Sequence, residues 1–146
     1  MWSAIASVLL GVAGWLVTSF FGKPWVDFMN LGSQVHEEIT YTANVRGMLA
    51  DAEGFKQAAL SLRRFAAKVL ATNVTTSPLL RLFLSKSGYD LTKASGGLIG
   101  MSNSLGSSDG SLALHLSAVQ ASLKLPRDYS DEFLRQIETR MAGRSG

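Results

Sequence analysis

The sequence predicts an all-α protein, with one N-terminal transmembrane helix followed by a small bundle of about five to six helices. Three observations carry that expectation. No side chain from Met1 to Gly22 is charged at neutral pH, and every charged side chain lies from Lys23 onward. Beyond Pro24, apolar residues recur at helical spacing in one segment after another, and no alternating strand pattern competes over a useful length. The punctuation is also that of helices, with Ser or Asp ahead of apolar runs and Gly or Pro after them.

The division is therefore a span over 1–22 and a helical soluble domain over 23–146. Trp2 to Phe21, WSAIASVLLGVAGWLVTSFF, reaches roughly 30 Å as an α-helix, the thickness of a bilayer's hydrocarbon core. A cleaved signal peptide would carry Lys or Arg ahead of the apolar run and a small-x-small cleavage site. Here nothing basic precedes Trp2 except the chain's amine, and the run ends in bulky Phe20 and Phe21. A buried helix of so small a protein would rarely be uncharged on all sides. Trp2 and Trp25 bracket the stretch at positions where indole favours the two interfaces, and Lys23 flanks the exit. Gly22 followed by Pro24 predicts that the helix stops there, because Pro disfavours helical geometry at Lys23. Lys23, with Arg46 further on, points the C-terminal domain towards the cytoplasm by the positive-inside rule.

Within the span, Ser3, Ser7, Gly11, Gly14 and Thr18 recur every three or four residues and share one stripe. Small residues at this spacing let helices approach closely in lipid, where packing drives association. The stripe predicts self-association or a partner helix, against the plainer reading of an anchor.

After the span, Trp25, Phe28, Met29, Val35 and Ile39 predict an acidic helix, weakened by Gly32 at a cost of about 1 kcal/mol. The next helix has the clearest pattern, with Phe55, Ala58, Ala59, Leu62, Phe65, Ala66, Val69 and Leu70 facing inward. Lys56, Arg63, Arg64 and Lys68 give it a basic, solvated face. Ser77-Pro78 reads as an N-cap with Pro at the first helical position, opening LLRLFLSKS, which ends near Gly88. Another helix begins near Asp90, with Leu91, Ala94, Leu98, Ile99 and Leu105 inward, and GSSDG at 106–110 is a loop. Leu112, Leu116, Val119 and Leu123 mark a helix that Pro126 ends. The last helix starts at Ser130, buries Phe133, Ile137 and Met141, and closes on Arg140 and Arg144, as its dipole favours.

Catalytic chemistry finds little support. The absence of cysteine excludes disulfides and thiolate sites, and two histidines, His36 and His115, make a poor transition-metal site. HEEIT at 36–40 has Thr40 where a zinc-protease helix needs its second His. A net charge of +3 implies no strong pull towards nucleic acid. No cofactor is expected. Asn73-Val74-Thr75 reads as a turn unless it reaches a glycosylating compartment.

Gly96, Gly97 and Gly100, with Ser102 and Asn103 beyond them, stand out. Each helical glycine costs roughly 1 kcal/mol relative to Ala, which a fold tolerates where another backbone comes close. Gly96 and Gly100, four apart, are the expected face for close helix packing or for a partner, with a ligand site a weaker option.

FFGKPWVDFMNLGSQVHEEITYTANV and GGLIGMSNSL together resemble a loose group of small bacterial proteins. These have one amino-terminal span, an acidic helix ending in an ANV-like turn, an arginine-containing helix and an LIGLSNSL-like segment. Gly32 stands where that group carries a basic residue. The resemblance implies a bacterial inner membrane and a helical cytoplasmic domain, and no activity comes with it. The expected function is a single-pass binding or scaffold protein, not an enzyme, an accessory subunit or homo-oligomer whose partners are the lipid bilayer and another protein or itself. The alternative is a membrane-disrupting effector whose span oligomerises into a pore on a signal sensed by the domain.

Overall fold

A computed structural model describes residues 2–45, 53–108 and 110–143, with the side chains of residues 2–4 and Asn44 outside that description. Arg46, Asp109 and Arg144, and the side chains of Trp2 and Ser3, therefore lie outside the described residues. The described residues are helical, with no strand among them: α1 (Trp2–Val17), α2 (Lys23–Val45), α3 (Glu53–Thr75), α4 (Pro78–Lys86), α5 (Leu91–Ser104), α6 (Ser111–Leu123) and α7 (Asp131–Ala142).

The expected stop at Gly22–Pro24 does not occur. A π-turn over Thr18–Gly22 joins α1 to α2, with the Lys23 N–H donating to Thr18 O, so the two helices form one continuous rod. A proline inside an α-helix removes a donor and drives its ring into the carbonyl four residues back. The wider π-turn lets the chain pass Pro24 without breaking. That carbonyl belongs to Phe20, and Ser77 Oγ, from the start of α4, donates to it at 3.2 Å.

Burial by α2 differs in part from the predicted stripe. Phe28, Leu31, Val35, Ile39, Thr42 and Val45 are buried, whereas Met29 is exposed. In α3, Ala58, Leu62, Ala66 and Val69 are buried as the periodicity demands, and Leu70 is exposed. Asn73, read as part of a turn, belongs to the last turn of α3 and donates from Nδ2 to Thr92 Oγ1 at 3.3 Å.

The cap at Ser77 forms as predicted, accepting from the Leu80 N–H at 3.4 Å, and Asp90 caps α5 by accepting from the Lys93 N–H at 2.8 Å. Gly88, at φ +82°, supplies the left-handed turn between α4 and α5. In α5, Met101 is fully buried and Ile99 is exposed, so the inward face is rotated from the predicted one. The end of α6 comes at Lys124, whose φ of 54° breaks the helix two residues before Pro126. Of the three residues expected to bury α7, only Ile137 is buried. Phe133 is exposed and stacks on Tyr129, with ring centroids 5.2 Å apart.

The core lies where α3, α5 and α6 meet, with α2 along one side of α3 and α7 lightly attached to α6. Leu62, Leu98, Met101, Leu116 and Val119 are its fully buried centre.

Candidate functional site

Two stretches of this fold put small residues on a helix surface, and their surroundings differ completely. In α1 the described side chains from Ile5 to Val17 are exposed, Leu10 to 74%. The helix that contains them is long and apolar enough to cross a membrane, and none of its most apolar window is buried. A Cβ added at Gly11 or Gly14 would meet nothing within 4 Å. Thr18 turns its hydroxyl onto its own helix, donating to Gly14 O at 2.9 Å. The stripe of Ser7, Gly11, Gly14 and Thr18 is thus a shallow face that no other described element covers.

In α5 the small residues are filled against neighbours. A Cβ on Gly97 would come within 2.6 Å of Val119 Cγ2 and 3.1 Å of His115 O, and one on Gly100 would meet the His115 ring at 2.4 Å. α6 therefore crosses α5 at Gly97 and Gly100, three apart, rather than at Gly96 and Gly100. Around Gly96 there is nothing within 4 Å. On the side facing α3, Ser95 Oγ donates to Ala66 O at 2.9 Å and Ser102 Oγ to Ala59 O at 3.1 Å. The two serines are two turns apart on α5 and their acceptors two turns apart on α3, so both bonds fix one antiparallel register.

Arg63 completes that contact. Its Nε donates to Ser102 Oγ at 3.0 Å and its Nη2 to Asn103 Oδ1 at 3.1 Å. Arg63, read as part of a solvated basic face, is exposed, and from that face it also ties α3 to α5. Ser102 is buried in this contact, and Asn103, itself exposed, gives its amide oxygen to Arg63.

The third feature is the exit of the rod from its apolar half. Phe21 and Trp25 stack with centroids 6.5 Å apart, and Phe83 of α4 meets both edge-on, at 5.3 and 5.5 Å. Tyr89 closes the group against Trp25 at 6.4 Å and Phe28 at 5.0 Å, with Lys124 Nζ 5.1 Å above its ring. Edge-to-face pairs of this kind add about 0.5–1.5 kcal/mol each beyond area burial. Trp25, expected at the membrane interface and on the apolar stripe of its helix, is a half-buried member of this collar, while Lys23 beside it is exposed. The collar was not legible from spacing, because its members come from the π-turn, α2, α4 and the turn before α5. The one available signal was Pro24, which promised a carbonyl without its helical donor.

Among the described residues no three His, Asp or Glu side chains converge on a point. His36 and His115 lie on different helices, and the His115 ring packs over Gly100. Compared with known protein families, curated proteins and solved structures, the chain matches none.

Proposed function

We propose that this chain is a single-pass membrane protein, with α1 crossing the bilayer and α2–α7 forming a binding or scaffold domain on the cytoplasmic side. In this reading it is an accessory subunit or homo-oligomer of a bacterial inner-membrane assembly, without enzymatic activity and without nucleic acid as a partner. The observation that carries the reading is the contrast along one rod. Its apolar residues 5–17 are exposed on every described side, and its second half is half-buried against α3. In water, so large an apolar surface marks an interaction site for lipid or protein. The cytoplasmic placement is supported by Lys23 at the exit, and the bacterial setting by the motif resemblance alone.

The stripe of small residues is the proposed assembly face. Replacing both Gly11 and Gly14 with Leu fills it with side chains that hold helices apart. The tagged protein, expressed in a bacterial host and extracted gently, should run as a discrete assembly or with a stoichiometric partner. The double variant should run alone, with the melting of its soluble domain unchanged. Unchanged assembly in that variant would remove the stripe from the proposal. Ion conductance by a purified homo-oligomer in planar bilayers would move the reading from scaffold to pore-forming effector.

A further inference from the structure

α4 has more apolar residues than a nine-residue helix can bury. Leu80 and Leu84 face the core, whereas Leu79, Leu82 and Phe83, at helical spacing on another side, are 65%, 56% and 43% exposed. Lys86 continues that side by one more turn and is exposed. An exposed apolar face on a short helix has no evident structural use in water.

The position of α4 says what covers it. Its cap residue, Ser77, donates to Phe20 O, in the last turn of the apolar stretch, and Phe83 packs on Phe21 and Trp25. Arg81, on a third side, donates from Nη2 to Val74 O at 3.1 Å and Thr76 O at 3.3 Å, which ties the end of α3 to the same level. Val74 and Phe20, on either side of this junction, are themselves exposed. The apolar face of α4 is therefore held at the height where the rod leaves its apolar half, whichever side of the membrane the domain occupies. The charge agrees. From Leu70 to Tyr89 the sequence has no Asp or Glu but contains Arg81 and Lys86, and Lys23 is exposed on the rod nearby.

We propose that α4 is an interfacial membrane helix, with Leu79, Leu82 and Phe83 in the boundary between headgroups and acyl chains and Lys86 and Lys23 among anionic headgroups. This rests on α1 crossing the bilayer and adds a second, lateral contact to it. Two contacts fixed to each other through Ser77 and the collar set the domain's tilt against the membrane. A single span with a flexible exit leaves that tilt free.

The chain has no cysteine, so single cysteines report one position at a time in the full-length protein. Leu82→Cys tests α4 and Val12→Cys tests the span. Lys56→Cys is the control at the far end of α3, where Glu38 and Tyr41 of α2 neighbour Gln57 and Ala58. Each is labelled with a nitrobenzoxadiazole fluorophore and reconstituted into phosphatidylcholine–phosphatidylglycerol vesicles, with or without nitroxide-bearing lipid. The expected result is loss of most emission at 12 and at 82 with nitroxide lipid, and none at 56. Quenching at 12 together with a label at 82 open to aqueous iodide overturns the proposal and leaves the span standing. Quenching at 12 with a label at 82 shielded from both quenchers also overturns it, because protein then covers α4. No lipid quenching at 12 overturns the span, and this proposal with it.

Discussion

α1 and α5 use the same vocabulary, small residues three or four positions apart, in two unlike settings. Around Gly97 and Gly100 the space a Cβ needs is already occupied by Val119 and His115, while around Gly11 and Gly14 it is empty. In α5 the neighbouring Ser95 and Ser102 spend their hydroxyls on carbonyls of α3. Just after α1, Thr18 spends its hydroxyl on the carbonyl of Gly14 in its own rod. A run of small residues shows only that a close approach is affordable; whether it happens inside the chain depends on what the connections bring alongside. The loop after α5 returns α6 onto its glycines, and no described element returns to α1.

The sharpest way to break this comparison is to fill the two faces separately. Gly97→Leu puts a branched side chain where Val119 Cγ2 and the backbone carbonyl of His115 already stand, 2.6 and 3.1 Å from the new Cβ. Overpacking at such a site costs about 3 kcal/mol. Thermal or denaturant unfolding of the full-length protein in detergent, followed by circular dichroism, should show a clear fall in midpoint. The Gly11→Leu, Gly14→Leu double variant should leave the same midpoint where it was. If both variants melt alike, the two faces are not different in kind.

A smaller effect is expected at the joint between the two regions. Ser77→Ala removes the cap of α4 and the hydroxyl that bonds Phe20 O in one step. Loss of an N-cap costs about 1 kcal/mol. The more telling readout is amide exchange in the rod just after Pro24, which should accelerate as α4 loosens from it. If exchange there is unchanged, the aromatic collar alone holds the joint.

What the sequence made legible follows from the range of the interactions. The helices and their caps at Ser77, Asp90 and Ser130 are written within a few residues, and the structure forms them there. The continuity of the rod was missed because the rule for proline assumes an α-helix on both sides. A π-turn evades it, and the donor that serves Phe20 O lies 57 residues away. The rotation of α5 was missed for a related reason. Leu98 and Ile99 are equally apolar, and only the register set by Ser95 and Ser102 on α3 decides which is buried. Arg63 is on the surface as read, but its bonds to α5 were missed because its partners lie 39 and 40 residues on. Of the candidate functional positions, residue types and spacing were visible, and their neighbours were not.

Gly96 is the position where the two settings meet, and it gives the smallest and most discriminating effect. It lies in the tightly packed helix, yet like Gly11 it has nothing within 4 Å of an added Cβ. Being helical and exposed, it should accept Ala without strain. The substitution removes backbone freedom from the unfolded chain and adds helix propensity, worth about 0.5–1 kcal/mol in favour of the fold. Gly96→Ala should therefore raise the unfolding midpoint slightly, opposite in sign to Gly97→Leu one residue away. If the purified variant melts higher but loses the proposed assembly, the open side of α5 is a contact surface, as proposed for the stripe in α1. If stability rises and assembly is kept, Gly96 is a residue whose smallness the fold does not use, and the close approach in α5 belongs to Gly97 and Gly100 alone.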